Sequence, residues 1–177
     1  MTLVCYAPSI SLRGVWVGPF LKDTFGLDTA AIGWASMGMA LSSILALVCL
    51  GPLDRWLGRT KLLAGILGAV TTIAVLALAL GPPLPIAIAL FIAIGFFGSM
   101  YPIVIAHVMS LVPKDLTGRG TSLLNLFNIG GVALLQWLSA YSFAQSADTY
   151  PPVFLVTAGF LALGLVVYVV AAKPKEA

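Results

Sequence analysis

Arg13 is a charged residue in the middle of an apolar stretch of the sequence. It lies about eleven residues into the apolar stretch 2–22, roughly 16 Å into a bilayer core about 30 Å thick. A charge there costs at least about 2.5–3.5 kcal/mol, so Arg13 must face a cavity or a partner. We expect its planar fork to meet a carboxylate, sulfonate, nitrate or phosphate. The alternative is that Arg13 bonds helix-end carbonyls or a neighbouring polar side chain and only fixes packing.

Two asparagines and a histidine could also do chemistry inside the membrane. Asn125 and Asn128 are three residues apart and therefore share one helix face. They could bind a solute or bond a neighbouring helix, which is the commoner use of membrane asparagine. His107, the only histidine, could relay protons, but a lone histidine near a membrane surface more often snorkels or packs.

Other kinds of chemistry are not favoured by the sequence. The apolar stretches contain no nucleophile beside a base, no cluster of metal ligands and no phosphate-binding loop. We therefore expect no enzyme activity, no metal and no cofactor. Those stretches also contain no Asp or Glu, so Arg13 has no partner for an internal salt bridge and proton coupling has no obvious site.

The elements that position these side chains are membrane spans. The chain of 177 residues is 60% hydrophobic and 8% charged, with a mean hydropathy of +1.08, whereas soluble domains have about 25% charged residues. We therefore predict an all-α, multi-pass membrane protein. Six spans of bilayer length can be drawn, at residues 2–22, 30–50, 62–81, 84–111, 120–143 and 152–172.

The charged residues predict the orientation of these spans. Residues 51–61, GPLDRWLGRTK, hold four of the fifteen charged side chains, and we interpret them as a short charged hairpin. Seven of the nine Lys and Arg residues lie in alternate polar segments, which places both chain ends and the tail 173–177 on the cytoplasmic side. The expected location is a bacterial inner (plasma) membrane. The net charge of +3 thus reports orientation, and we expect no nucleic-acid partner.

The polar side chains repeat with a period of three spans. Spans three and six are the plainest, whereas the other four carry polar groups that are tolerated only against protein or water. The plain spans should therefore be peripheral, and the chain should form a 3+3 inverted repeat of the kind found in secondary transporters. The polar groups concerned are Ser9, Ser11, Arg13, Ser36, Ser42, Ser43, Ser99, Tyr101, His107, Asn125, Asn128 and Gln136.

Residues 51–61 resemble the cytoplasmic loop motif of the major facilitator superfamily. Asp54 and Arg55 stand one position early, and Thr60 occupies a position where a cation is usual. The segment ending in Gly118, Arg119 and Gly120 is similar to the loop between the tenth and eleventh helices of that family. The resemblance covers nearly all 177 residues and indicates the C-terminal half, helices seven to twelve. The matching motif positions are Gly51, Leu53, Gly58 and Arg59.

This resemblance implies transport of a small polar solute by alternating access, the solute being an anion if Arg13 binds it. The helices that line the cavity in the family would supply solute-binding side chains, namely Arg13, Trp16, Trp34, Tyr101, Asn125 and Asn128. The motif would supply a gate, in which its aspartate sits against the positive end of a helix from the opposite half. The gate and loop residues would be Gly51, Asp54, Arg55, Gly58, Arg59 and Arg119.

A transporter of this kind needs a second six-helix bundle. Met1 is followed almost at once by membrane-type sequence, which favours a fragment of a twelve-span protein over the pairing of two copies. The expected partners are therefore a small-molecule solute, the lipid bilayer, and either a missing N-terminal six-helix half or a second copy. The competing interpretation is a non-transporting membrane scaffold, or a remnant of a truncated transporter gene.

Overall fold

The computed structural model describes residues 2–109 and 112–171, and all regular elements in this part of the chain are helical. The all-α class is confirmed for these residues. In chain order they are α1 (Thr2–Cys5), α2 (Ala7–Ser11), a π-helical turn (Leu12–Trp16), α3 (Val17–Phe25), α4 (Thr29–Leu57), α5 (Thr60–Ala79), α6 (Leu84–Phe97), α7 (Tyr101–Met109), a 3₁₀ turn (Lys114–Leu116), α8 (Thr117–Gln145) and α9 (Pro151–Ala171).

Five stretches of the described chain are long and apolar enough to cross a membrane. Residues 2–25 are divided among four shorter helical elements, so the first of the six predicted spans and the 3+3 repeat remain predictions. The predicted tail 173–177 lies outside the described residues. The five stretches are Thr29–Leu57, Thr60–Ala79, Leu84–Met109, Thr117–Gln145 and Pro151–Val170.

Two helices are interrupted midway along their length. The π-helical turn, closed by the bond from the Val17 N–H to the Leu12 carbonyl, precedes Pro19, which has no N–H to offer the carbonyl four residues earlier. The second interruption covers residues 98–100, between α6 and α7. Pro102 follows it and likewise cannot bond the Gly98 carbonyl. Both interruptions therefore lie where a proline denies the helix a donor.

Serine hydroxyls satisfy carbonyls near the end of α6. The Ile94 carbonyl already accepts the Gly98 N–H, whereas the Ser99 N–H bonds to Phe96 and leaves the Gly95 carbonyl without a backbone donor. Inside a bilayer water cannot replace that donor. Serines of α2 and α4 supply the donors and thereby hold both helices against α6. The bonds run from Ser9 Oγ to the Ile94 oxygen (3.3 Å), from Ser42 Oγ to the Ile92 oxygen (2.9 Å) and from Ser43 Oγ to the Gly95 oxygen (2.9 Å).

Gly95 allows α6 to approach α4 closely enough for these bonds. A Cβ at this position would meet Ser42 Oγ and would stand 2.5 Å from the backbone oxygen of Met39. Gly98 is equally confined, because its Cβ would meet Ser9 Oγ. Small residues at these two positions thus set the distance between the three helices.

The spans differ in how much of their surface the chain covers. In the most apolar 18-residue stretch of each span, 44% of α5 and 39% of α9 is buried inside the protein, against 22% of α4 and 22% of α8. The span Leu84–Met109, which carries polar groups, is buried to the same 39% as α9, so burial within this chain does not separate plain spans from polar ones, and the peripheral position of the plain spans remains a prediction. The helix α5 packs along α9 and α6, whereas α4 and α8 keep open faces.

The segment predicted as a charged hairpin, residues 51–61, is mostly helix. The helix α4 continues through Pro52, within its last two turns, to Leu57. It ends at Gly58, whose φ of +60° favours glycine. Only Gly58 and Arg59 separate α4 from α5, so the connection is a tight turn.

An aromatic cluster closes the opposite end of the bundle. Phe20 makes edge-to-face contacts with Phe91, Tyr150 and Phe154. The Tyr150 hydroxyl donates to Asp23, which ties α3 to the segment before α9. Burial and then the bond to Asp23 raise the pKa of Tyr150 above its ordinary value, so the hydroxyl remains a donor at neutral pH.

Gly95→Ala is expected to destabilise the bundle by about 1–3 kcal/mol, because the added methyl group overpacks the contact between α4 and α6. Thermal unfolding in detergent measures the loss. Gly65→Ala is the matched control, since its Cβ meets nothing within 4 Å and alanine is the better helix former. Equal melting temperatures for the two variants would contradict the close approach.

Candidate functional site

A cavity of about 430 Å³ lies where the two interrupted helices meet α4; we call it the Arg13 cavity. Arg13 is the one charged side chain among its described lining residues, and the hydroxyls at its wall come from serines and tyrosines. The lining consists of Tyr6, Ser9, Ile10, Arg13, Ala40, Ser43, Ile44, Leu47, Gly98, Ser99, Tyr101 and Pro102.

Arg13 enters this cavity from the π-helical turn. Its side chain is half-buried and forms no hydrogen bond or ion pair with any residue in the described part of the chain. The serine hydroxyls of the wall are already used, since Ser9, Ser43 and Ser99 donate to carbonyls of α6. The guanidinium therefore presents its donors to the cavity while the nearby serine protons point elsewhere.

Tyr101 forms the wall of the cavity that faces α8. Its hydroxyl donates to Oδ1 of Asn125 at 3.0 Å, and its ring lies 5.1 Å from the ring of Tyr6. This bond connects the start of α7 to α8. Asn125 is thus joined to the Arg13 cavity through Tyr101, without being part of its lining.

A second pocket of about 220 Å³ continues from the Arg13 cavity toward the turn between α4 and α5; we call it the Asp54 pocket. The two share Leu47, Ser99 and Pro102. In Asp54, Oδ2 accepts a bond from the Thr60 hydroxyl at 3.2 Å. Oδ1 is buried and has no hydrogen-bond partner among the described residues.

The structure does not bring all the predicted solute-binding residues to one place. Arg13 and Tyr101 share the cavity, but Trp16 is 5% exposed and Trp34 is 69% exposed, and neither lines it. Trp16 packs in the aromatic cluster, where its indole N–H donates to Ser139 Oγ at 3.0 Å. Asn128 is also buried outside the cavity, and its Oδ1 has no hydrogen-bond partner in the described part of the chain.

The predicted gate and loop residues are likewise dispersed. Gly51 and Arg55 line the Asp54 pocket, whereas Gly58 and Arg59 line a groove beside α5 and α9. Arg119 is exposed near the start of α8 and lines a separate depression of about 440 Å³.

His107, the candidate proton relay, lines neither the Arg13 cavity nor the Asp54 pocket. His107 packs edge-to-face against Tyr168, outside the Arg13 cavity. No group of three metal-ligating side chains occurs among the residues described here.

Tyr6 and Pro102 are among the cavity residues that were not predicted, although the sequence contains a signal for each. Tyr6 precedes Arg13 by seven residues, which on a helix is the same face two turns away. Pro102 interrupts the middle of a long apolar stretch, where a helix must break or kink. Each signal indicated that the residue could line a cavity, but neither showed which helix would lie opposite it.

Trp16→Phe is expected to lower stability by about 0.5–1.5 kcal/mol, the usual net value of one lost hydrogen bond, and to leave solute binding intact. Ser139→Ala should cost about as much, and the double variant should cost less than the sum, because both changes remove the same bond. Thermal unfolding measures the three variants. If Trp16→Phe weakened binding without loss of stability, Trp16 would belong to the solute site as the sequence predicted.

Comparison with known proteins gives one match over the whole chain. The family model of the Major Facilitator Superfamily matches residues 1–177. No curated protein and no solved structure matches the chain significantly.

Proposed function

Because the chain belongs to the major facilitator superfamily, whose members are multi-pass membrane transporters rather than enzymes, we propose that it is half of a secondary transporter. In this proposal its six spans form the 3+3 inverted repeat of a C-terminal half. The half moves a small polar solute, an anion, by rocking against a second six-helix bundle around a site near the midplane.

The observation that carries this proposal is the environment of Arg13. Its guanidinium lines a cavity at the depth of two helix interruptions and has no bonding partner among the described residues. An unpaired cation at membrane depth raises the free energy of the folded protein. During transport a binding partner must offset this cost. A bound anion offsets it directly and accepts two parallel bonds from the fork.

The cavity favours a small solute. Its volume of about 430 Å³ lies in the lower half of the range of about 300–1,000 Å³ for small-molecule sites. The rings of Tyr6 and Tyr101 form one wall, while Ala40, Ile44 and Leu47 of α4 form an apolar one. A carboxylate, sulfonate, nitrate or phosphate group would meet Arg13, and its apolar remainder would meet α4.

The second bundle would cover the open faces of α4 and α8, which bury only 22% of their most apolar windows within this chain. A missing N-terminal half or a second copy of the chain could provide this bundle. In either case the Arg13 cavity would lie between the two halves.

Arg13→Ala is expected to weaken anion binding about 10- to 100-fold, since hydrogen bonds to charged groups contribute about 1.5–3 kcal/mol. Thermal stabilisation of the purified chain by nitrate, inorganic phosphate, acetate and methanesulfonate identifies the anion class. Arg13→Lys should recover part of the affinity, because a lysine keeps the charge and loses the fork.

Arg119→Ala is the control, because Arg119 lies outside the cavity. Uptake of the stabilising anion is then measured in proteoliposomes that hold the chain alone or with its partner bundle. Unchanged binding by Arg13→Ala would refute the assignment of Arg13. Anion binding without uptake in either preparation would favour the non-transporting scaffold.

Asp54→Asn is expected to shift the balance between inward-open and outward-open states, because a neutral amide attracts the positive end of a partner helix less than a carboxylate does. Accessibility of single cysteines on the two faces measures this ratio. Thr60→Val removes the bond to Oδ2 and leaves the charge of Asp54, so it should have the smaller effect. Identical accessibility in wild type and Asp54→Asn would exclude a gate at this position.

A further inference from the structure

A wide groove in the described chain takes no part in the proposed transport path. It is a groove of about 850 Å³ beside α5 and α9, and it shares no lining residue with the Arg13 cavity or the Asp54 pocket. We call it the α5/α9 groove. Its floor is apolar and includes Ile66, Ala69 and Leu165, while one end is lined by Arg59 and Lys61.

The groove has the length and direction of a lipid chain in one leaflet. The cations lie at the start of α5, whereas Ala69 lies nine residues further along the helix. At 1.5 Å per residue the groove extends about 14 Å from its charged end, close to half of a hydrocarbon core about 30 Å thick. Its charged end is thus at headgroup level, and its apolar end reaches toward the midplane.

The charges at this end favour an anion. Arg59 is exposed, and Lys61 is half-buried with Nζ donating to the Val169 carbonyl at 3.0 Å, so the ammonium is held at the rim. His107 also lines the groove, and no carboxylate does so among the described residues. The nearby Asp54 accepts from Thr60 and lines the other pocket.

We propose that the α5/α9 groove binds one anionic phospholipid, with the phosphate between Arg59 and Lys61 and an acyl chain along residues 65–69. Basic sites between membrane helices recognise anionic headgroups in this way, and the apolar floor contributes through burial of the chain. The proposal rests on the membrane location of the chain and is independent of Arg13 and of the transported solute.

The test counts lipids bound to the full chain by native mass spectrometry, using phosphatidylglycerol and phosphatidylcholine with the same acyl chains. Phosphatidylglycerol should bind more tightly to the wild type. Arg59→Gln and Lys61→Gln should each weaken it about fivefold, the effect of one cation near a membrane surface, and the double variant should bind the two lipids alike. Arg119→Gln, a cation outside the groove, should retain the preference.

A second pair of variants tests the acyl end. A Cβ at Gly65 meets nothing within 4 Å, so Gly65→Phe should fill the groove without displacing protein atoms and should weaken binding of both lipids. Gly159→Phe is the control, because Gly159 has the same open surroundings on α9 and lies outside the groove. Circular dichroism checks that each variant is folded.

Several outcomes would overturn the proposal. They are equal affinity of the wild type for the two lipids, an equal loss with Arg119→Gln, and unchanged binding with Gly65→Phe. Inorganic phosphate is the competing ligand: if it displaced phosphatidylglycerol at millimolar concentration, the rim would be a phosphate site rather than a lipid site.

Discussion

The hydrogen bonds from serines of α2 and α4 to the carbonyls near the end of α6 determine the geometry of the rest of the structure. A helix that ends inside a bilayer leaves polar backbone groups which only protein can satisfy. Ser43 and Ser99 satisfy the Gly95 carbonyl, Ser9 adds a bond to the Ile94 carbonyl, and Gly95 provides the space. These bonds hold α2 and α4 against α6 beside the Arg13 cavity.

This arrangement explains how a charge can be kept at membrane depth. The serine protons are committed to the backbone, so they do not compete with the guanidinium for a bound group. Tyr101 is held in turn by Asn125 of α8. Arg13 is therefore the side chain of the wall whose donors are not committed within the described chain, and these donors can meet a group that enters the cavity.

The sequence predicted what depends on composition and depth, and it could not predict what depends on contacts between helices. The apolar runs and the position of Arg13 follow from residue counting along the chain. The placement of Trp16 does not, because its bond to Ser139 joins residues 123 positions apart. The burial of the plain spans also depends on which helices pack together, which hydropathy alone does not contain.

The structure of the charged motif, residues 51–61, could likewise be predicted only in part. Its residues indicated a turn between two spans, and Gly58 does form one with positive φ. The sequence contained no signal that α4 would continue through Pro52 to Leu57, since proline usually marks an end. As a result Gly51, Asp54 and Arg55 lie on a helix, and Arg59 faces away from them into a separate groove.

The π-helical turn also decides which side chains the first helix presents on each face. Tyr6, Arg13 and Phe20 are spaced by seven residues and would form one stripe on an unbroken α-helix. The wider turn adds one residue to the winding, which offsets the following segment by about 100°. Tyr6 and Arg13 accordingly face the cavity while Phe20 faces the aromatic cluster. Deleting a single residue there would restore a regular α-helix in which Phe20 stands six positions after Arg13, about 120° around the helix axis, so the two side chains would still face different ways.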